Sequence, residues 1–166
     1  MERFATPVEA ERYRDLGHRR FTEPDRANRI AIWEEAELLN QTFRSREECQ
    51  EARDAGDLAR ARRLKRSHAK WCTLRQQVRT AMNAVDWSHF SFSLRDPLHL
   101  SILYDAADQE RVEEFREPFL RRLFLVLGAR TSGCFRVAFS PTRLPSSEGE
   151  PIVIAMDSYD YRPRMR

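Results

Sequence analysis

Two His-x-Ser triplets, His89-Phe90-Ser91 and His99-Leu100-Ser101, begin ten residues apart. A pair of histidines can divide proton transfer on a phosphoester, one as base and one as acid, while hydroxyls donate to the phosphate oxygens. If both triplets lie on strands of one hairpin, His89, Ser91, His99 and Ser101 share its polar face. Alternating polar residues on a half-exposed sheet give the same pattern without any chemistry, so hydrolysis is the least favoured of three functional readings.

The second arrangement is electrostatic. Between Leu58 and Val85 the chain carries Arg60, Arg62, Arg63, Lys65, Arg66, Lys70, Arg75 and Arg79 and no acidic residue. At about 100° per residue, Leu64, Trp71, Leu74, Val78, Met82 and Val85 form one helical stripe. Arg62, Arg63, Lys65, Arg66 and Lys70 fall on the other side, and Arg75 and Arg79 flank the stripe. Like charges three and four residues apart repel, so a negative surface is expected to answer this ridge. Guanidinium forks suit phosphates. An internal answer is also available, because Glu47, Glu48, Glu51 and Asp54 precede the ridge and a tight turn would lay the two segments antiparallel. A third cluster, Arg162, Arg164 and Arg166 with Tyr159 and Tyr161, can clamp phosphates or stack on bases, or simply be a solvated end.

Other constellations are incomplete. His68 and Cys72 stand four residues apart on the cationic helix, half of a metal site whose arginine neighbours repel a cation. Asp157 and Asp160 read as ordinary acidic residues after a strand. Neither a phosphate-cradling glycine loop nor a GxSxG elbow is present. No metal or cofactor is expected.

The elements that carry these residues are punctuated clearly. Thr6-Pro7-Val8-Glu9 is a capping box that opens a helix expected to stop at Gly17. Thr22, Pro24 and Asp25 open a second helix, to about Phe43. Ser45 with Glu48 reads as a new cap that opens a separate acidic helix, closed by Gly56. Asp57 caps the cationic helix. Residues 1–85 thus read as a four-helix region whose last two members, 45–85, form an acidic/basic hairpin. A search for a second copy of the hairpin finds none, which argues against a repeat array.

The pattern changes at Asp86. Phe90, Phe92 and Leu94, then Leu98, Leu100 and Ile102, alternate around Arg95-Asp96-Pro97 as a hairpin. Val112, Phe115, Phe119, Leu123 and Leu127 form a helical stripe that Pro118 should kink or restart. Cys134 to Phe139 alternates as a strand, and Ile152 to Met156 reads as an interior strand. Residues 86–166 therefore read as a small antiparallel ββαββ sheet with one covering helix, and the fold class is α+β.

Composition bounds the rest. The chain has 166 residues and a net charge of +3. By segment the net charge is +1 over residues 1–22, −5 over 23–57, +8 over 58–85 and −1 over 86–166. The basic excess is thus almost wholly one helix, unlike proteins that coat RNA through several elements. Arginine outnumbers lysine 27 to 2, which follows either from GC-rich coding or from a need for bidentate contacts. Cys49, Cys72 and Cys134 are odd in number and contain no CxxC, a pattern of free thiols in a reducing compartment such as the cytoplasm or an organelle matrix. No apolar run is long enough to span a bilayer, and no secretory signal is visible. The favoured reading is a non-catalytic subunit or adaptor of a larger intracellular assembly, docked through residues 58–85 and the Arg-rich tail on an acidic protein or RNA. A nucleic-acid-binding protein proper is second, and a small phosphoesterase third.

Overall fold

A computed structural model of the chain describes residues 4–96, 99–128, 136–142 and 157–159. It divides into two compact units, Met1–Thr73 and Leu74–Arg166. Helices and a small mixed sheet make it an α+β protein.

The first unit holds α1 (Pro7–Thr22), α2 (Arg26–Asp54) and the beginning of α3 (Leu58–Asn83). Thr6 accepts from the Glu9 amide, and the Glu9 carboxylate accepts from the Thr6 amide at 2.8 Å. Gly17 does not end α1, which continues to Thr22. A glycine costs a helix only about 1 kcal/mol, and packing on α2 outweighs that cost. Leu16 is fully buried and Tyr13 meets Phe43 edge to face at 5.9 Å.

Two arginine–carboxylate forks pin α1 to α2. Arg12 donates to both oxygens of Glu35 at 2.7 and 2.9 Å, and Arg46 donates to both oxygens of Glu9 at 2.7 and 2.8 Å. The Arg46 fork, helped by the Thr6 amide, holds the Glu9 carboxyl down at about 2.

The separate acidic helix expected from Ser45 and Glu48 does not exist, and the N-terminal region has three helices rather than four. α2 runs unbroken through Ser45 to Asp54. A capping box starts a helix only where the preceding backbone is non-helical, and no glycine or proline interrupts residues 26–54. Thr42, just upstream, returns its hydroxyl to Leu38 O at 2.8 Å and so stays within the helix. The real break is at Gly56, whose φ of +75° suits a residue without Cβ. The Asp57 amide closes the turn onto Ala52 O at 2.8 Å, and the Asp57 carboxylate caps α3 by accepting from the Arg60 amide at 2.8 Å.

The second unit begins with the rest of α3, which buries Leu74, Val78, Ala81 and Met82. Asp86 then takes a left-handed turn, φ +58°, tied by an ion pair to Arg111. Trp87 is the hub of the core. It is fully buried, with Phe119 at 5.0 Å, Phe90 at 5.3 Å and Phe139 at 6.3 Å.

The strands are β1 (Ser91–Asp96), β2 (His99–Asp105), β3 (Arg136–Thr142) and the three-residue β4 (Asp157–Tyr159), in the order β1-β2-β3-β4. β1 and β2 pair antiparallel, with a one-residue bulge at Arg95. The sheet is nevertheless mixed and not antiparallel, because β2 and β3 run parallel. The reason is α4 (Gln109–Leu127), which carries the chain from the end of β2 back to the start of β3 as a crossover. α4 passes through Pro118 as one helix and buries Val112, Phe119, Leu120, Leu123 and Phe124. The expected strand Ile152–Met156 lies outside the described residues, as does Cys134.

The Glu9–Arg46 fork has a pH signature. Its folded carboxyl sits near 2 against the ordinary 4.5, so the stabilisation is full above about pH 4.5 and disappears as pH falls towards 2. Glu9→Gln should cost on the order of 1 kcal/mol near neutrality, as for a partly exposed pair. The gap from the native protein should close between those limits, measured as urea midpoints across pH. A gap independent of pH would show that the fork adds nothing.

Candidate functional site

The ridge is positioned by the packing of α2 on α3 within the first unit. Cys49 Sγ approaches Ala61 O at 3.6 Å, and Ala52 and Ala61 are buried, so small side chains line the contact. One polar pair joins it, Thr42 Oγ1 with His68 Nε2 at 3.2 Å. His68 also meets Cys72 Sγ at 3.5 Å and stacks on Trp71. Burial, and secondly the charge of Arg46, push its pKa down, which favours the neutral ring. No third histidine, cysteine or carboxylate joins His68 and Cys72 among the described residues.

These contacts fix which faces turn outward. Ala61, His68 and Cys72 define the inner line of α3. On a helix of about 100° per residue, Arg62, Arg66, Lys70 and Arg63 occupy an arc of roughly 100° opposite that line. Lys65 lies beside the inner line, roughly 20–60° from those three residues, and Arg60 lies on a flank. All six are exposed. On α2 the same reckoning from Thr42, Cys49 and Ala52 puts Glu47, Glu51 and Asp54 on the side away from α3. The acidic and basic faces therefore lie on opposite sides of the hairpin and do not pair. Among the described residues no ion pair or hydrogen bond engages the side chains of Arg60, Arg62, Arg63, Lys65, Arg66 or Lys70.

Arg75 and Arg79 part from the ridge. Arg75 is only 6% exposed, with its guanidinium 5.1 Å from the Phe92 ring centre. Arg79 donates to Phe90 O at 3.0 Å and Trp87 O at 3.4 Å and lies 5.3 Å from the same ring. Both lie against Phe92 of β1 inside the second unit and Arg79 also holds the loop after α3, so neither belongs with a polyanion contact. Arg60 takes their place in the exposed set; its position in the basic run was the available signal. Arg162, Arg164 and Arg166 lie outside the described residues.

The histidines do not assemble. His99 stands opposite Asp96 at the turn end of the hairpin, whereas Ser91 stands opposite Leu103. Four residues of strand separate those points, about 13 Å, and His89 lies before β1 altogether. There it faces Asp108 at 3.6 Å and packs edge-on against Phe90. Ser101 is opposite Ser93 on the half-exposed face. One phosphate cannot bridge His89 and His99, so the phosphoesterase reading is withdrawn.

Comparison with known proteins found no matching family model, no matching curated protein and no matching solved structure. No helix among the described residues is long and apolar enough to cross a membrane.

The two classes of arginine separate experimentally. Arg79→Ala should destabilise the protein by about 2 kcal/mol, since it removes charged hydrogen bonds to two carbonyls and an aromatic contact. Arg62→Ala should change stability by less than about 0.5 kcal/mol. Guanidinium chloride midpoints test both; equal losses would contradict the division.

Proposed function

We propose that this chain is a non-catalytic subunit or adaptor that seats the cationic face of α3 on a polyanionic surface of a larger assembly. One observation carries this reading: six basic side chains within eleven residues are exposed, and no acidic group among the described residues answers them. Internal neutralisation was the competing explanation for the charge pattern. The opposed faces of α2 and α3 argue against it.

The face suits docking more than chemistry. It carries cations and small polar residues, with no general base or nucleophile at hydrogen-bonding distance from a charged partner. Cationic side chains on a rigid helix can meet fixed negative charges with little loss of backbone freedom. Both the favoured reading, an adaptor, and the second, a nucleic-acid binder, use this same face.

Retention on immobilised heparin tests the reading. Arg62→Glu/Arg66→Glu should elute at clearly lower salt than the native chain. Arg121→Glu/Arg122→Glu makes the same change in net charge on exposed residues of α4 and should elute near the native position. Equal shifts for the two variants would mean that net charge, not the α3 face, governs binding, and the proposal would fail.

A further inference from the structure

We infer that the polyanion is duplex DNA, gripped by the first turns of α3 lying in the major groove. This rests on the docking role proposed above and names its ligand.

The first argument is composition. The exposed residues of α3 from Ala59 to Thr73 are Ala59, Arg60, Arg62, Arg63, Lys65, Arg66, Ser67, Ala69, Lys70 and Thr73. None is aromatic or a large aliphatic. Protein interfaces draw their affinity from buried aromatic and aliphatic anchors and are depleted in lysine at their centres. Leu58, the first residue of α3, is the one large aliphatic exposed beside them; the rest of the face, cations, hydroxyls and alanines, has no such anchor. It does have the groups that contact phosphate oxygens, namely arginine, lysine, serine and threonine.

The second argument is geometry. Arg60 to Lys70 spans about 15 Å along the helix axis, enough to cross a B-form major groove of about 12 Å. The cations fan around the helix, with Arg60 and Arg63 towards one flank, Arg62 towards the other, and Arg66 and Lys70 across the front. A helix in the major groove has a sugar–phosphate wall on each side, and this fan supplies a cation to each. The front carries no Asn or Gln to read adenine edges, and the small Ala69 and Thr73 allow close approach. The major groove of A-form RNA is too narrow to admit a helix, so an RNA duplex would meet only the front of the ridge.

The third argument concerns the rest of the hairpin. The acidic face of α2, with Glu47, Glu51 and Asp54, lies behind the ridge. It therefore points away from a duplex seated on the front. A second copy of this chain would have to stack front to back to use both faces. That arrangement is open-ended and forms no closed dimer, so the duplex is the better occupant.

Fluorescence anisotropy of the full chain with a short DNA duplex tests the inference, with an RNA duplex of the same sequence and poly-L-glutamate as competitors, over a range of salt. Four to six phosphate contacts predict a slope of log K against log salt of about −4 to −5, and Arg62→Glu/Arg66→Glu should lower its magnitude by about 2 or more. The DNA duplex should bind roughly tenfold or more tightly than the RNA duplex. Equal affinity for both duplexes would overturn groove seating and leave docking on a polyanion intact. Stronger competition by poly-L-glutamate than by DNA would identify an acidic protein as the ligand and overturn the inference in the same way. Absence of binding to any of the three at low salt, with no shift on heparin, would overturn both the inference and the docking role.

Discussion

The narrow contact between α2 and α3 determines what this molecule presents to its surroundings. A helix that packs through Ala61, with Cys49 and Ala52 opposite, gives up only a thin line of its surface. Most of the rest of its first turns faces outward, and six of those exposed residues are basic. Thr42 and His68 fix the rotation of the pair, since a turn of either helix would strand a half-buried ring nitrogen without its partner. Small residues at the contact and one polar pair thus hold in place a charged face that makes no contribution to the packing itself.

The same chemistry serves two purposes along one helix. Arg62 and Arg66 stand in solvent, whereas Arg75 and Arg79 lie on Phe92 and Arg79 holds the carbonyls of Trp87 and Phe90. The difference is made by what surrounds each turn. Around Arg75 and Arg79 the helix buries Leu74, Val78 and Met82, and an arginine beside such a stripe can lay its planar group on an aromatic face while its nitrogens find backbone oxygens. Around Arg62 and Arg66 no large apolar residue is buried, so the charge has nothing to bend towards.

Local signals in the sequence were legible where a single residue type has one physical use. Gly56 and Asp57 marked the turn correctly because a positive φ and an N-cap each have few solutions. Thr6 and Glu9 marked the start of α1 for the same reason. Signals that depend on neighbours were not. Ser45 and Glu48 have the letters of a cap, but helical backbone on both sides removes its use. Gly17 and Pro118 weaken a helix without ending it once tertiary packing exceeds the local cost. The parallel pairing of β2 and β3 follows from the crossover through α4, a property of the path and not of either strand. Alternation placed the ends of the hairpin strands to within three residues, yet it could not place His89 relative to His99, because separation along a strand depends on register and on where β1 begins. For the site, the cationic face was legible from spacing alone, while the inward turn of Arg75 and Arg79 required knowledge of where Phe92 and the Trp87 loop would lie.

The ridge carries an energetic cost in the free protein. Arg62–Arg66 and Arg66–Lys70 are like-charge pairs four residues apart, and Arg60–Arg63, Arg62–Lys65 and Arg63–Arg66 are three apart. At about 0.2–0.5 kcal/mol each, they destabilise α3 by about 1–2.5 kcal/mol, a sizeable part of the roughly 5–15 kcal/mol that holds a typical domain together. The Asp57 cap and the small-residue contact with α2 offset this locally. They do not explain why the charges are there, since alanine or glutamate at the same positions would make a more stable helix. A polyanion laid along the face converts each repulsive pair into two attractive contacts and releases counterions as it does so. The cost is then present only while the face is empty, and the stability of the first unit becomes coupled to occupancy of α3.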